Sequence, residues 1–226
     1  AQIELFACDA EQPWVARSPG RAAEGAHAAA ARSVETRRFL DALRGMIVVD
    51  DLQIRAGEDC DGPLHEGLPR RVRAAGHHLV VKRLPAREGR RRPALSAADW
   101  QVIRACPVPI LLTRGRLWQP LPKFVAKVDE PAAGDVVEAA RYLADGCHGA
   151  LEVVNEGPAE PHPADGPPSG GASLVTRPTR HEIDVVVLRA CGPHPDVDVA
   201  REVATERIVE QLDCDVLLMP RTAAPH

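Results

Sequence analysis

The sequence predicts an α/β protein built on parallel sheets in two similar halves. Three observations lead there: an internal repeat, the order of elements inside it, and a composition that fills a core with aliphatic rather than aromatic side chains. "HHLVVKRL" at 77–84 matches "IDVVVLRA" at 183–190, and "CPVPILLTR" at 106–114 matches "LDCDVLLMP" at 212–220, both at an offset of 106 residues. Two strands and the segment between them therefore repeat without a gap. In each copy that segment ends in a helical pattern, and strand, loop, helix, strand is the order that makes neighbouring strands parallel. Apolar residues make up 45% of the chain and aromatic ones only 3%, so Val, Leu, Ile and Ala must fill the interior, as in buried parallel strands.

"AQIELFA" at 1–7 reads as a strand, "AARSVETRRFLDALRG" at 30–45 as a helix and "DLQIRA" at 51–56 as a strand. "DGPLHEGLPRRVRAAG" at 61–76 has helical spacing, interrupted near Pro69 because proline lacks the N–H a helix interior uses. In "SAADWQVIRA" at 96–105, Ser96 and Asp99 are spaced as a capping box, with Trp100, Val102 and Ile103 facing inward. "KFVAKVDEP" at 123–131 is a strand ending at Asp129, "GDVVEAARYLADG" at 134–146 a helix closed by Gly146, and "ALEVVNE" at 150–156 a strand that the N-terminal one resembles. "DVAREVATERIVEQL" at 198–212 brings Val199, Val203, Ile208 and Leu212 close to one helical face.

The repeat divides the chain into halves at 1–118 and 119–226, and both are incomplete. The first has no counterpart to residues 123–146, so its first strand and helix are absent. The second is shortened between 156 and 182, where "GPAEPHPADGPPSGGAS" and "LVTRP" stand in place of a helix, a strand and another helix. So many prolines and glycines exclude a helix there.

Twenty-eight basic against 32 acidic residues leave a net charge of −4, which disfavours general polyanion binding. No run of 18 apolar residues offers a membrane span, and the first ten residues lack the pattern of a signal peptide, so a cytoplasmic protein is expected. The six cysteines show no CxxC and no framework spacing, the pattern of reduced, mostly buried thiols.

"LSAADWQVIRACPVPILLTR" together with "HHLVVKRL" resembles the universal stress proteins, and with "VATERIVEQLDCDVLLMP" it is similar to their tandem, two-domain E-type members. The likeness covers most of 77–154 and 181–220 and is weak over 1–76. It implies an adenine nucleotide α-hydrolase-like fold, with a five-stranded parallel sheet per half and helices on both faces. It also implies that last strands pair across a dimer: here 109–113 with 215–219 in an intramolecular pseudo-dimer, or between two chains in a homodimer. The role it implies is regulation under stress through protein partners that the sequence does not name.

Nucleotide-binding members of the family follow the fourth strand with Gly-x2-Gly-x9-Gly and then Ser or Thr, glycines that let backbone amides approach phosphate. On the second half those positions are Arg189, Gly192, Glu202 and Val203, with Ala190 in the same loop; on the first they are Arg83, Ala86, Ser96 and Ala97. One glycine of six remains, and the Glu202 carboxylate stands where phosphate would rest, a repulsion on the order of a few kcal/mol in a partly dry site. The motif reads as a degenerate nucleotide-binding loop, and no cofactor is expected.

Alternatives attach to named residues. Asp129 stands where binding members contact adenine, so an ATP- or AMP-binding switch would use Asp129 and the Gly192 loop. Cys191, between Arg189 and His194, has the surroundings of a redox-sensitive thiol, and Cys147-His148 is a fragment of a metal site without structural-zinc spacing. The basic stretch at 70–92, including Arg70, Arg71, Arg73, Arg83 and Arg90–Arg92, has no interleaved aromatics and reads as a solvated loop rather than a nucleic-acid dock. There is no GxSxG and no organised Ser/His/Asp set, so no residue is assigned as catalytic and the chain is not read as an enzyme.

Overall fold

Runs such as "VVVLR" and "DVLLM" are apolar on both faces, a pattern stable only in a sheet covered on both sides. The computed structural model describes residues 2–8, 22–47, 51–59, 63–84, 95–128, 134–155, 182–189, 203 and 205–220. In chain order these form β1 (Gln2–Cys8), α1 (Ala22–Met46), β2 (Gln53–Asp59), α2 (Leu64–Ala75), β3 (Val80–Arg83), α3 (Ala97–Ala105) and β4 (Ile110–Thr113). Then follow β5 (Lys123–Val128), α4 (Gly134–Gly146), β6 (Ala150–Asn155), β7 (Val185–Arg189), a helical segment over 205–211 (α5) and β8 (Asp215–Met219).

The chain divides into two compact units, residues 1–71 and 72–226. In the first, β1 and β2 pair in parallel from Gln2↔Gln53 to Cys8↔Asp59, and Arg71 Nη2 lies 2.7 Å from Glu4 Oε1. The second holds a six-stranded sheet in the order β3-β4-β8-β7-β5-β6. Every neighbouring pair in it is parallel except β4 and β8.

The sequence repeat survives as register. Val80 sits opposite Ile110, and their counterparts Val186 and Val216 also sit opposite each other. Between the repeats, β4 and β8 pair antiparallel, with Ile110↔Leu218 and Leu112↔Val216 flanking Leu111↔Leu217. The repeat equates Leu111 with Leu217, so the pairing is symmetric about that residue pair. This junction explains why the compact units divide at 71/72 while the repeat divides at 118/119: β4 ties the end of the first half into the sheet of the second. Among the described residues the halves do not form separate five-stranded sheets but one sheet of six strands and one of two. Residues 174–178 lie outside the described residues.

Helix ends follow local chemistry, with three departures from the sequence reading. The capping box forms as predicted: Ser96 N donates to Asp99 Oδ2 at 2.8 Å and Asp99 N to Ser96 Oγ at 3.2 Å, with Trp100, Val102 and Ile103 buried. Helix α1 begins at Ala22, eight residues before the predicted start, because the alanine-rich run at 22–31 is itself a good helix former. Helix α2 continues through Pro69, which forfeits only its own intrahelical bond while Glu66 and Gly67 N–H anchor the first turn on Pro63 O at 2.9 and 3.0 Å. Helix α4 has the predicted span, but its left-handed closing residue is His148 (φ 54°) and not Gly146. His148 N reaches Asp145 O at 3.3 Å and Gly149 N reaches Ala144 O at 2.8 Å, a Schellman motif. Gly149 is needed for space, since a Cβ there would lie 2.3 Å from Pro122 O.

The linker between β4 and β5 is held by two buried carboxylates. Asp184 and Asp215 precede or open β7 and β8 and are 2% and 4% exposed. Asp215 accepts from Arg114 N at 2.7 Å and Trp118 Nε1 at 2.8 Å, while Asp184 accepts from Gln119 N at 3.1 Å and Lys123 N at 2.9 Å. Arg116 Nη2 lies 3.8 Å from Asp184 Oδ1, and Arg116 Nη1 donates to Asp213 O at 3.1 Å. Charge-assisted bonds of this kind are what make a buried carboxylate tolerable. The Trp118 ring then stands edge-on to Phe124, centroids 5.7 Å apart.

Asp215→Ala leaves the Arg114 N–H and the Trp118 indole without their acceptor, so it should lower unfolding stability by about 3 kcal/mol in urea titrations, with Asp215→Asn costing less. A second expectation concerns acid. Burial alone would raise the Asp99 carboxyl, but the Ser96 N–H, Lys82 (Nζ 3.0 Å away) and the Ser96 hydroxyl together hold it below the ordinary value of 3.8. A depressed carboxyl stabilises the fold above its unfolded value and loses that contribution as pH falls through the folded one. Wild type should therefore lose its advantage over Asp99→Asn below pH 3.8, read as converging urea midpoints.

Candidate functional site

The second unit's sheet reverses direction at β5. From β5 the chain passes through α4 to β6 on one side, and β7 lies on the other, so the carboxyl ends of β5 and β7 flank a topological switch point. Open α/β sheets hold ligands in the crevice at such a point.

Two side chains meet there. Arg189 is the last residue of β7, and Asp135 lies in the first turn of α4. Arg189 Nη2 donates to Asp135 Oδ1, forming an ion pair whose side chains are 17% and 33% exposed. Val136 N donates to the same carboxylate oxygen at 2.9 Å. A helix N-terminus favours negative charge because its first N–H groups lack intrahelical partners. Here the chain's own carboxylate occupies that place and also neutralises the arginine.

Of the residues predicted for the nucleotide loop, Arg189 is therefore at the crevice. Val203 is helical and 38% exposed, off the buried stripe of Thr205, Ile208, Val209 and Leu212. This corrects its predicted inward placement: five residues before Ile208 is about 140° around the helix from it, given 100° per residue. Asp129, Ala190, Cys191, Gly192 and Glu202 lie outside the described residues, as do Val199 and 85–94 of the basic stretch. Arg83, the counterpart of Arg189, has different surroundings. Its guanidinium lies beside Gly115 (φ 71°), where a Cβ would come within 3.3 Å of Nη2.

Sequence reasoning missed Asp135. The available signal was an acidic residue opening the helix after the second half's first strand, next to an arginine-ended strand. Asp184 and Asp215 were also missed, although the first half carries His78 and Pro109 at the matching positions and so marks the two acids as features of one half.

Cys106 and Cys214 are buried and Cys147 is partly exposed, all three unbridged. Burial pushes both buried thiols up, Cys214 to about 12, where the adjacent Asp215 charge adds to the effect. Among the described residues no group of three or more His, Cys, Asp or Glu side chains is placed to hold a metal. No helix among them is long and apolar enough to cross a membrane.

No protein-family model matches the sequence, and no curated protein does. Solved structures do. A functionally unknown protein from Pseudomonas aeruginosa PAO1 superposes with a TM-score of 0.61 at 17% identity, over 97% of this chain and 82% of the other. A protein from Pseudomonas aeruginosa UCBPP-PA14, provisionally described as a universal stress protein, does so with a TM-score of 0.59 at 18% identity, over 97% of this chain and 92% of the other. The chain has a universal-stress-protein-like fold. Identities this low show a likeness of fold alone. Within this fold, the Arg189–Asp135 pair stands at the carboxyl end of β7.

Thiolate is the reactive form of cysteine, so the raised thiols should be slow. Among the three, iodoacetamide at neutral pH should label Cys147 first and Cys214 last, read by peptide mass spectrometry of timed samples.

Proposed function

We propose that this protein is a universal stress protein of the tandem, two-domain type, a cytoplasmic regulatory and interaction protein of the stress response that acts without binding ATP and without catalysis. The observation that carries the reading is the ion pair between Arg189 and Asp135 at the switch point. An incoming phosphate must displace a carboxylate already seated on the α4 N-terminus and already paired with the arginine. The loop that follows adds one glycine where binders use three per half, and a glutamate where they rest phosphate. The antiparallel β4–β8 pairing supports a pseudo-dimer within one chain, in the arrangement two chains would otherwise supply.

One observation favours a second reading. Arg189 stands at the start of the loop and would meet a phosphate if Asp135 released it, giving an ATP-binding switch with Asp129 and the Gly192 loop. The thiol-sensor reading rests on Cys191.

A thermal-shift titration with ATP, ADP and AMP, with and without Mg²⁺, separates these. A ligand at 100 times its Kd adds about 2.7 kcal/mol of stability, so the proposal expects no rise in the wild-type midpoint. A clear rise with ATP, lost in Arg189→Ala, overturns it in favour of the switch. Asp135→Asn should cost about 1 to 2 kcal/mol, between the values for exposed and buried pairs.

A further inference from the structure

We draw no further inference here: the strongest candidate, the surface patch that Leu117 and Leu121 form on the linker between β4 and β5, 92% and 73% exposed, is an apolar face for which nothing in the structure shows what covers it.

Discussion

Two buried carboxylates, Asp184 and Asp215, set the conditions under which the rest of the second unit can form. A carboxylate removed from water must be given hydrogen-bond donors, and the nearest supply is the backbone and indole of the linker at 114–123. Satisfying them draws the linker across the starts of β7 and β8. That fixes where β4 ends and where β5 begins, so β4 falls beside β8 and β5 beside β7. The linker so held joins the antiparallel junction at β4 to the switch point at β5.

The crevice at the switch point then inherits its character from a second electrostatic pairing. Arg189 at the end of a parallel strand and the N-terminus of α4 both favour an anion, and a phosphate would suit both. Asp135 answers both from within the chain. An internal partner fixed by the fold loses less freedom than a diffusing ligand, so a ligand competes at a disadvantage for the same contacts. The contrast with Arg83 is instructive. The same residue type at the same repeat position has no such strand–helix pair beside it among the described residues, and its guanidinium lies against the linker glycine.

Symmetry in sequence has become asymmetry in structure. The repeat preserves strand register to the residue on both sides of the β4–β8 junction. Coverage is not preserved: β7 has β5 beside it and α4 packed over it, while β3 exposes the matching side chains. Burial depends on what is packed against a strand, and the strand's own sequence hardly records it, since Leu79 and Val81 are as apolar as Val185 and Val187.

The sequence by itself determined the α/β class, the positions of most strands, the span of α4, the Ser96–Asp99 capping box and the matching registers of the two repeats. These are local or periodic properties, carried by side-chain spacing and short-range hydrogen bonds. It misjudged Pro69 and the closure of α4, because one lost bond or one left-handed histidine is decided by whether the flanking turns hold. Only the tertiary structure brought Asp135 to Arg189, 54 residues away, and Asp184 and Asp215 to the linker, 61 to 101 residues away. Long-range pairings of charge leave no periodicity to read; they exist only once the sheet order has placed the ends of β5, β7 and β8 side by side.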